Sequence, residues 1–423
     1  MRTPRVGNIP DPAFEQALID LGHDDVLDGK LLTANVADVL ELSVPNYFTQ
    51  DIITDLTGIE YFSALEILNC NAQSITFLDL SNNLNLKELD CGYNQNLSIL
   101  NVNDNTALEI LKCHSNSLTN LDVSHNVNLQ ELYTYGNTQL ASLDLSNNAA
   151  LKILWCYSNQ LNNLDVSNNI NLKVLNFWEN EISNIDVSNN LALEVLDCKD
   201  NKLTSLDVSN NLALESLGCN GNQLTSLDIS DNIALKSLGC EANPLTNIDI
   251  SNNLALEVLS FGNSPISNID VSNNTALIYL SCFNAPITNL DISNNIALEL
   301  LICNNNQQLT SLDVSNNNSL VWLQCNENNL TSISLGNINS LIALECNNNQ
   351  LTDLVLNSGV NLEYLDCSEN LLSSLDVSYN LNLGGLDCSF NSLNCIKVND
   401  AQIANIPDGW YKDNDAIYAL SCN

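Results

Sequence analysis

Residues 193–213, LEVLDCKDNKLTSLDVSNNLA, decide the fold because near copies of this stretch recur along most of the chain. The shared pattern is Leu-x-x-Leu-x-Cys-x-x-Asn-x-Leu-Thr-x-Leu-Asp-Val-Ser-Asn-Asn-x-x. It returns every 21 or 22 residues from about residue 65 to residue 391. A fixed period of this length predicts a solenoid, in which each repeat is one coil that packs on its neighbours. Positions are counted from the first Leu, so that Leu193 is position 1.

Each repeat contains two similar halves. Side chains alternate along a strand, so positions 4 and 6 point inward while positions 3, 5 and 7 point outward. The second half, as in residues 203–211, repeats the motif Leu-x-x-Leu-x-apolar-x-x-Asn. We therefore expect two parallel sheets, one from each half of the repeat. The Asn at position 9 is expected to turn the chain and to bond the backbone of its own coil and of the next.

The repeat resembles the cysteine-containing, 21-residue class of bacterial leucine-rich repeats known as IRREKO. The match covers about three quarters of the chain. More loosely, residues 53–62, ITDLTGIEYF, resemble segments of internalin-type surface proteins. The resemblance implies a parallel β-rich solenoid and a secreted or cell-surface binding protein. It implies no particular ligand, because this architecture serves many partners.

The ends of the chain depart from the repeat. Asp11 and Pro12 predict a helix start, and the apolar residues Phe14, Ala17 and Leu18 then fall on one face. We expect a helical N-terminal cap over residues 1–40, a solenoid over 41–394 with about 16 regular coils from residue 65, and a C-terminal cap over 395–423.

The 15 cysteines fall into two groups. Thirteen occupy position 6, where they are expected to be small buried side chains, because parallel Cβ vectors keep neighbouring sulfurs apart. Cys395 and Cys422 lie outside the repeat and bracket the last segment. We expect a disulfide between them that pins the C-terminal cap, which favours an oxidising compartment.

The formal net charge of −38, from 50 acidic and 12 basic residues, excludes nucleic acid as a partner. No apolar run is long enough to insert into a membrane. The first residues, Met1-Arg-Thr-Pro-Arg5, lack the apolar region of a signal peptide. Because of the expected disulfide, we expect that a leader has been removed and that the protein is secreted or on the bacterial surface.

Exposed aromatic residues are the candidate ligand-binding residues. Outward positions 3, 5 and 7 of the first sheet hold eight Trp or Tyr residues, and five of them lie in three consecutive coils. These five form the aromatic patch: Tyr133, Tyr135, Trp155, Tyr157 and Trp178. Clustered aromatic side chains with a polar rim are typical of surfaces that stack on sugars or bind protein partners. The alternative is that the rings merely cover each other.

Position 15 is Asp in ten successive coils, and this row is a weaker candidate for calcium, for example at Asp186, Asp207 and Asp228. The alternative is that each Asp accepts hydrogen bonds from the amides of its own turn. No cofactor motif and no arrangement typical of nucleophilic catalysis is present in the sequence.

We therefore expect a non-enzymatic binding protein whose aromatic patch contacts a protein partner. One alternative is a carbohydrate-binding module that recognises a polysaccharide. Another is a structural spacer or envelope protein in which the aromatic residues have no binding role.

Overall fold

The computed structural model describes residues 5–46, 52–356 and 361–422. It divides into two compact units, Met1–Leu214 and Glu215–Asn423, and each unit is a parallel β-solenoid. The prediction of a leucine-rich-repeat solenoid is confirmed. The expected boundaries at residues 40 and 394 remain predictions, and residues 1–4 of the expected N-terminal cap lie outside the described residues.

The first unit begins with β1 (Val6–Asn8), α1 (Pro12–Asp20), β2 (Lys30–Leu32) and α2 (Thr33–Val36), and a 3₁₀ turn follows at Ile59–Tyr61. Its first sheet consists of β3 (Glu41–Ser43), β4 (Ile67–Asn69), β6 (Glu88–Asp90), β8 (Ile110–Lys112), β9 (Glu131–Tyr133), β10 (Ile153–Trp155), β11 (Val174–Asn176) and β12 (Val195–Asp197), paired in parallel in that order. On its other side, β5 (Phe77–Asp79) pairs with β7 (Ile99–Asn101).

The second unit repeats this design. Its first sheet runs in parallel through β13 (Ser216–Gly218), β14 (Ser237–Gly239), β15 (Val258–Ser260), β16 (Tyr279–Ser281), β17 (Leu300–Ile302), β19 (Trp322–Gln324), β21 (Ala343–Glu345), β22 (Tyr364–Asp366), β24 (Gly385–Asp387) and β26 (Gly409–Tyr411). On its other side lie the pair β18 (Ser311–Asp313) and β20 (Ser332–Ser334), and the sheet β23 (Leu375–Asp376), β25 (Cys395–Lys397) and β27 (Ile417–Ala419). The helix α3 spans Asp400–Ala404.

The second sheet is therefore present only in places, whereas the sequence predicts it in every coil. In coils with and without these strands, the Asn at position 19 bonds the preceding coil, as Asn105 Nδ2 does with Leu80 O at 3.0 Å and Asn83 O at 2.8 Å in the coils of β5 and β7. Asn190 does the same in a coil that lacks a second-sheet strand. Its Nδ2 donates to Val166 O at 3.1 Å and to Asn169 O at 2.9 Å, both in the preceding coil.

The side chains that the repeat pattern predicts to point inward are buried in the structure. The thirteen position-6 cysteines are buried thiols, and burial raises the pKa of each thiol for which a shift is resolved, to about 12 at Cys282. At position 9, Asn116 Nδ2 donates to Cys91 O at 3.1 Å and to Cys113 O at 2.9 Å, which joins two coils as expected. The members of this cysteine ladder are Cys70, Cys91, Cys113, Cys156, Cys198, Cys219, Cys240, Cys282, Cys303, Cys325, Cys346, Cys367 and Cys388.

In the regular coils from residue 65 to residue 391, a left-handed residue at position 8 ends the first-sheet turn, a feature that the repeat pattern alone does not predict. Fourteen such residues are not glycine, for example Tyr93 at φ 55° and Glu179 at φ 55°. This conformation is unfavourable for side chains with a Cβ. The amide of position 8 donates to the next coil, as in Ser158 N to Trp178 O at 2.9 Å. These bonds between coils hold the strained residue in place.

Both caps contain the features expected of them. Asp11 caps α1 by accepting hydrogen bonds from Ala13 N and Phe14 N, and its second oxygen accepts from Thr54 N at 2.8 Å. Burial opposes ionisation of Asp11, but these hydrogen bonds outweigh it and lower the pKa of the carboxyl. At the other end, Cys395 and Cys422 form the expected disulfide, with Cα atoms 5.7 Å apart.

Candidate binding surface

Three residues of the aromatic patch form one continuous stack with His114. The position-7 side chains of four consecutive coils lie ring on ring, in the order His114, Tyr135, Tyr157 and Trp178. Their ring centroids are 4.4, 4.3 and 4.7 Å apart, and their planes differ by 4°, 9° and 11°. We call these four residues the aromatic column.

The register of the parallel coils produces this stacking. Coils in register repeat at about 4.8 Å, which is close to the distance between stacked aromatic rings. Backbone hydrogen bonds hold the aromatic column in register. The amide of the residue that follows each ring donates to the carbonyl oxygen of the next aromatic residue in the column. Ser115 N donates to Tyr135 O at 2.7 Å, and Gly136 N donates to Tyr157 O at 3.0 Å.

The other two patch residues lie one column closer to the strands. Tyr133 and Trp155 occupy position 5 at the ends of β9 and β10, where they are direct strand partners. Their rings meet edge to face, 5.1 Å apart at 80°. Trp155 also lies 6.3 Å from both Tyr135 and Tyr157. The structure thus brings all five predicted residues into one surface.

Each residue of the patch is half-buried, because it contacts its neighbours with much of its ring surface. The faces inside the aromatic column are covered by other rings, so the outward surface there consists mainly of ring edges. Tyr93, which is 53% exposed, closes the first end by placing its ring against His114 at 86°. Mutual covering, which the sequence leaves open as an alternative, is therefore a real feature of the patch.

The charges around the patch are negative. Glu131 accepts a hydrogen bond from Tyr133 Oη at 2.8 Å, and Glu179 accepts one from Ser158 Oγ at 2.6 Å. Burial, followed by the bond to Glu131, raises the pKa of Tyr133. Burial also lowers the pKa of His114, which favours the neutral form of its imidazole.

The Asp row at position 15 has the geometry of local turns. Oδ1 of Asp186 accepts from Ser188 N at 2.9 Å, and Asp207 and Asp228 accept from Ser209 N and Ser230 N at 3.0 Å. Hydrogen bonds from these Ser hydroxyls and amides lower the pKa of Asp186 and Asp207. Within the described ranges, no group of three or more His, Cys, Asp or Glu residues is arranged to hold a metal ion.

Position 20 carries a row of exposed aliphatic side chains that the sequence interpretation missed. Examples are Leu191 in the first unit, at 63% exposed, and Ile233 in the second, at 65%. Each one directly follows the buried Asn at position 19, for example Asn190 and Asn232, which obscures the row in a simple hydrophobicity pattern. Separately, no helix in the described part of the chain is long and apolar enough to cross a membrane.

Solved structures of bacterial leucine-rich-repeat proteins resemble this fold. The functional domain of InlJ from Listeria monocytogenes, which includes a cysteine ladder, is 34% identical, with a TM-score of 0.67 over 78% of this chain and 77% of that chain. A leucine-rich-repeat protein from Leptospira interrogans is 24% identical, with a TM-score of 0.72 over 90% of this chain and 97% of the other.

The internalin InlF from Listeria monocytogenes is 21% identical, with a TM-score of 0.61 over 79% of this chain and 94% of that chain. At their lower identities, the Leptospira protein and InlF show a shared fold alone. No protein-family model matches the chain, and no curated protein matches it either.

Proposed function

This chain belongs to the internalin-like family of leucine-rich-repeat proteins with a cysteine ladder, and we propose that it is a non-catalytic binding protein whose aromatic patch recognises a protein partner. The observation that carries the proposal is the stacked aromatic column. Four rings held at 4.3 to 4.7 Å form a rigid surface before any partner arrives. A rigid aromatic surface loses little conformational entropy on binding, which is typical of interface hot spots.

The orientation of the rings favours a protein over a polysaccharide. A sugar stacks on an open ring face, but the faces of Tyr135 and Tyr157 are covered by their neighbours on both sides. Ring edges and Tyr hydroxyls instead suit the mixture of apolar contacts and hydrogen bonds in a protein interface. Glu131 and Glu179 supply the polar rim.

An extracellular or surface location accompanies this function. The Cys395–Cys422 disulfide supports it, because such bonds persist in oxidising compartments. The acidic composition, with a formal net charge of −38, is compatible with a soluble domain outside the cell.

The experiment compares partner capture by the wild type with capture by Trp155→Ala/Trp178→Ala, and applies both proteins to a glycan array. Tyr279→Ala is the control, because Tyr279 is a first-sheet aromatic residue outside the patch. We expect a protein partner that the double variant loses and the control keeps, with circular dichroism unchanged. Glycan binding that depends on the patch would instead support the polysaccharide alternative. Binding to neither class would support the spacer.

A further inference from the structure

A second aromatic surface, in the second unit, has a different geometry from the aromatic patch. Trp322 and Tyr364 both occupy position 3 of the first sheet and are 44% and 43% exposed. No other aromatic ring of the described residues stacks on either one. Each ring therefore keeps part of its surface open to a ligand, unlike the rings inside the aromatic column.

The strand register sets the distance between the two rings. Trp322 pairs with Ala343, and Ala343 pairs with Tyr364, so a single small side chain separates the two aromatic residues. Two strand spacings amount to about 9.6 Å between their backbones. The methyl group of Ala343 leaves the space above it available to a side chain from a partner.

Both rings are held in position. Trp322 Nε1 donates a hydrogen bond to Glu345 Oε1 at 3.1 Å. Tyr364 lies over Gly385, where a Cβ atom would come within 2.8 Å of the Tyr364 ring. Because Gly385 has no side chain, the Tyr364 ring can pack directly on its backbone, and a larger residue at position 385 would displace the ring.

Carboxylates follow one column away, at position 5 of the same coils. Glu345, Asp366 and Asp387 are consecutive strand partners. Oδ1 of Asp366 and of Asp387 accepts bonds from the Ser two residues later. None of the ion pairs in the described residues includes these three carboxylates.

No ion pair of the described residues neutralises these three carboxylates. Lys412, next to the strand partner of Asp387, donates to Asp413 O at 3.2 Å instead. Between Lys236 and Lys397 the sequence contains no Lys, Arg or His. Lys236 pairs with Glu215, and Lys397 pairs with Asp376. The negative charge beside Trp322 and Tyr364 thus remains available to a cation from outside.

We propose that Trp322, Tyr364 and the carboxylates Glu345, Asp366 and Asp387 form a second binding site, which takes an arginine-rich segment of a polypeptide. A guanidinium group stacks on aromatic faces and also forms paired hydrogen bonds with carboxylates, so it matches both components. The aliphatic stem of the arginine lies over Ala343. This site is separate from the aromatic patch and does not depend on the function proposed for it.

The test measures the affinity of a fluorescent octa-arginine peptide by anisotropy at physiological salt. Trp322→Ala and Tyr364→Ala should each weaken binding about fivefold, because each removes one cation–π contact. Tyr279→Ala is the matched aromatic control in the same sheet. Unfolding temperatures verify that each variant is folded, and Trp322→Phe, which keeps a ring, should retain most of the affinity.

A charge-matched pair of variants separates the site from general attraction to an acidic protein. The variant Asp366→Asn/Asp387→Asn removes two charges and keeps the Oδ1 acceptors. The control variant Asp291→Asn/Asp313→Asn removes two charges from the other side of this unit, where Asp291 and Asp313 accept hydrogen bonds from Ser293 N and Ser315 N. We expect a loss of about fivefold or more for the first pair and less than twofold for the second. Equal losses in both pairs, or wild-type affinity in the Trp322 and Tyr364 variants, would overturn the site.

Discussion

Tyr157 stacks on Trp178 with the ring centroids 4.7 Å apart and the ring planes 11° from parallel. The two residues are 21 positions apart in sequence and occupy the same position of adjacent coils. The pair shows how a solenoid converts a sequence period into a surface, because a residue type repeated at one position becomes a column of contacts.

The first prediction concerns the energy of this pair. In a double-mutant cycle of Tyr157→Ala and Trp178→Ala, we expect a coupling free energy of unfolding of about 0.5–1.5 kcal/mol, the usual range for aromatic pairs. Urea unfolding provides the measurement. Tyr157→Ala with Tyr93→Ala serves as the control, because Tyr93 contacts His114 rather than Tyr157. Strict additivity for Tyr157 and Trp178 would show that the stack contributes no pairwise energy.

The second prediction concerns the buried Asn at position 19. Asn190→Ala leaves Val166 O and Asn169 O without the Nδ2 donor, so we expect the free energy of unfolding to fall by about 2–4 kcal/mol. The exposed neighbour Asn189, which makes one bond at 3.3 Å to Ser167 O, is the control. Denaturant unfolding should show little change for Asn189→Ala. Similar losses in both variants would contradict the proposed role of the buried amide.

The third prediction is a loss of stability at alkaline pH. Burial raises the pKa of the ladder thiols above 9.0, for example at Cys113 and Cys282, each to about 12. Protonated thiols are thus favoured in the folded state, and their contribution is complete below the unfolded pKa. It is lost as the pH rises from about 9 towards 12, by about 1.4 kcal/mol per thiol per pH unit. Urea midpoints at pH 8 and pH 10, with reductant present, should differ strongly, and equal midpoints would refute the prediction.

The fourth prediction concerns the disulfide. Cys395→Ser/Cys422→Ser should lower the free energy of unfolding of the C-terminal segment by about 3–4 kcal/mol, because the bond closes a loop with a sequence separation of 27. Limited proteolysis should then cleave this segment first. Thiol titration of the unfolded protein without reductant should find thirteen thiols, matching the buried ladder. A count of fifteen would mean that the bond does not form.

The fifth prediction is that calcium does not stabilise the protein. Because Oδ1 of Asp207 accepts bonds from both Ser209 N and Ser209 Oγ, the row is engaged in its own turns. The unfolding temperature should stay within about 1 °C when millimolar calcium is added or chelated. Asp207→Asn, which keeps the acceptor, should be better tolerated than Asp207→Ala. A clear rise in unfolding temperature with calcium would point to a binding ladder instead.

Much of the fold is predictable from the repeat because each position has one environment. The leucines and cysteines lie inside as expected, and Asn116 joins two coils in the way that its position implies. Cys395 and Cys422 stand outside the period, which marked them as the bonded pair. These features depend on the repeat period, which can be recognised from the amino-acid sequence alone.

The incomplete second sheet could not be predicted in the same way. Its sequence motif matches that of the first half, yet most described coils lack strands there, while the Asn at position 19 bonds the preceding coil whether or not a strand forms. Whether the strands pair depends on how closely the backbones of neighbouring coils approach on that side, which the period does not encode.

The sequence by itself determined the coils, the buried ladders and the columns in which the aromatic residues lie, because a fixed repeat places equal positions above one another. Only the tertiary structure decided what those columns present to a partner. Consecutive rings at position 7, such as Tyr135 and Tyr157, cover each other's faces. Trp322 and Tyr364, with Ala343 between them, stay open. The difference arises because rings in consecutive coils can stack face to face, whereas Ala343, one coil from both Trp322 and Tyr364, carries no ring.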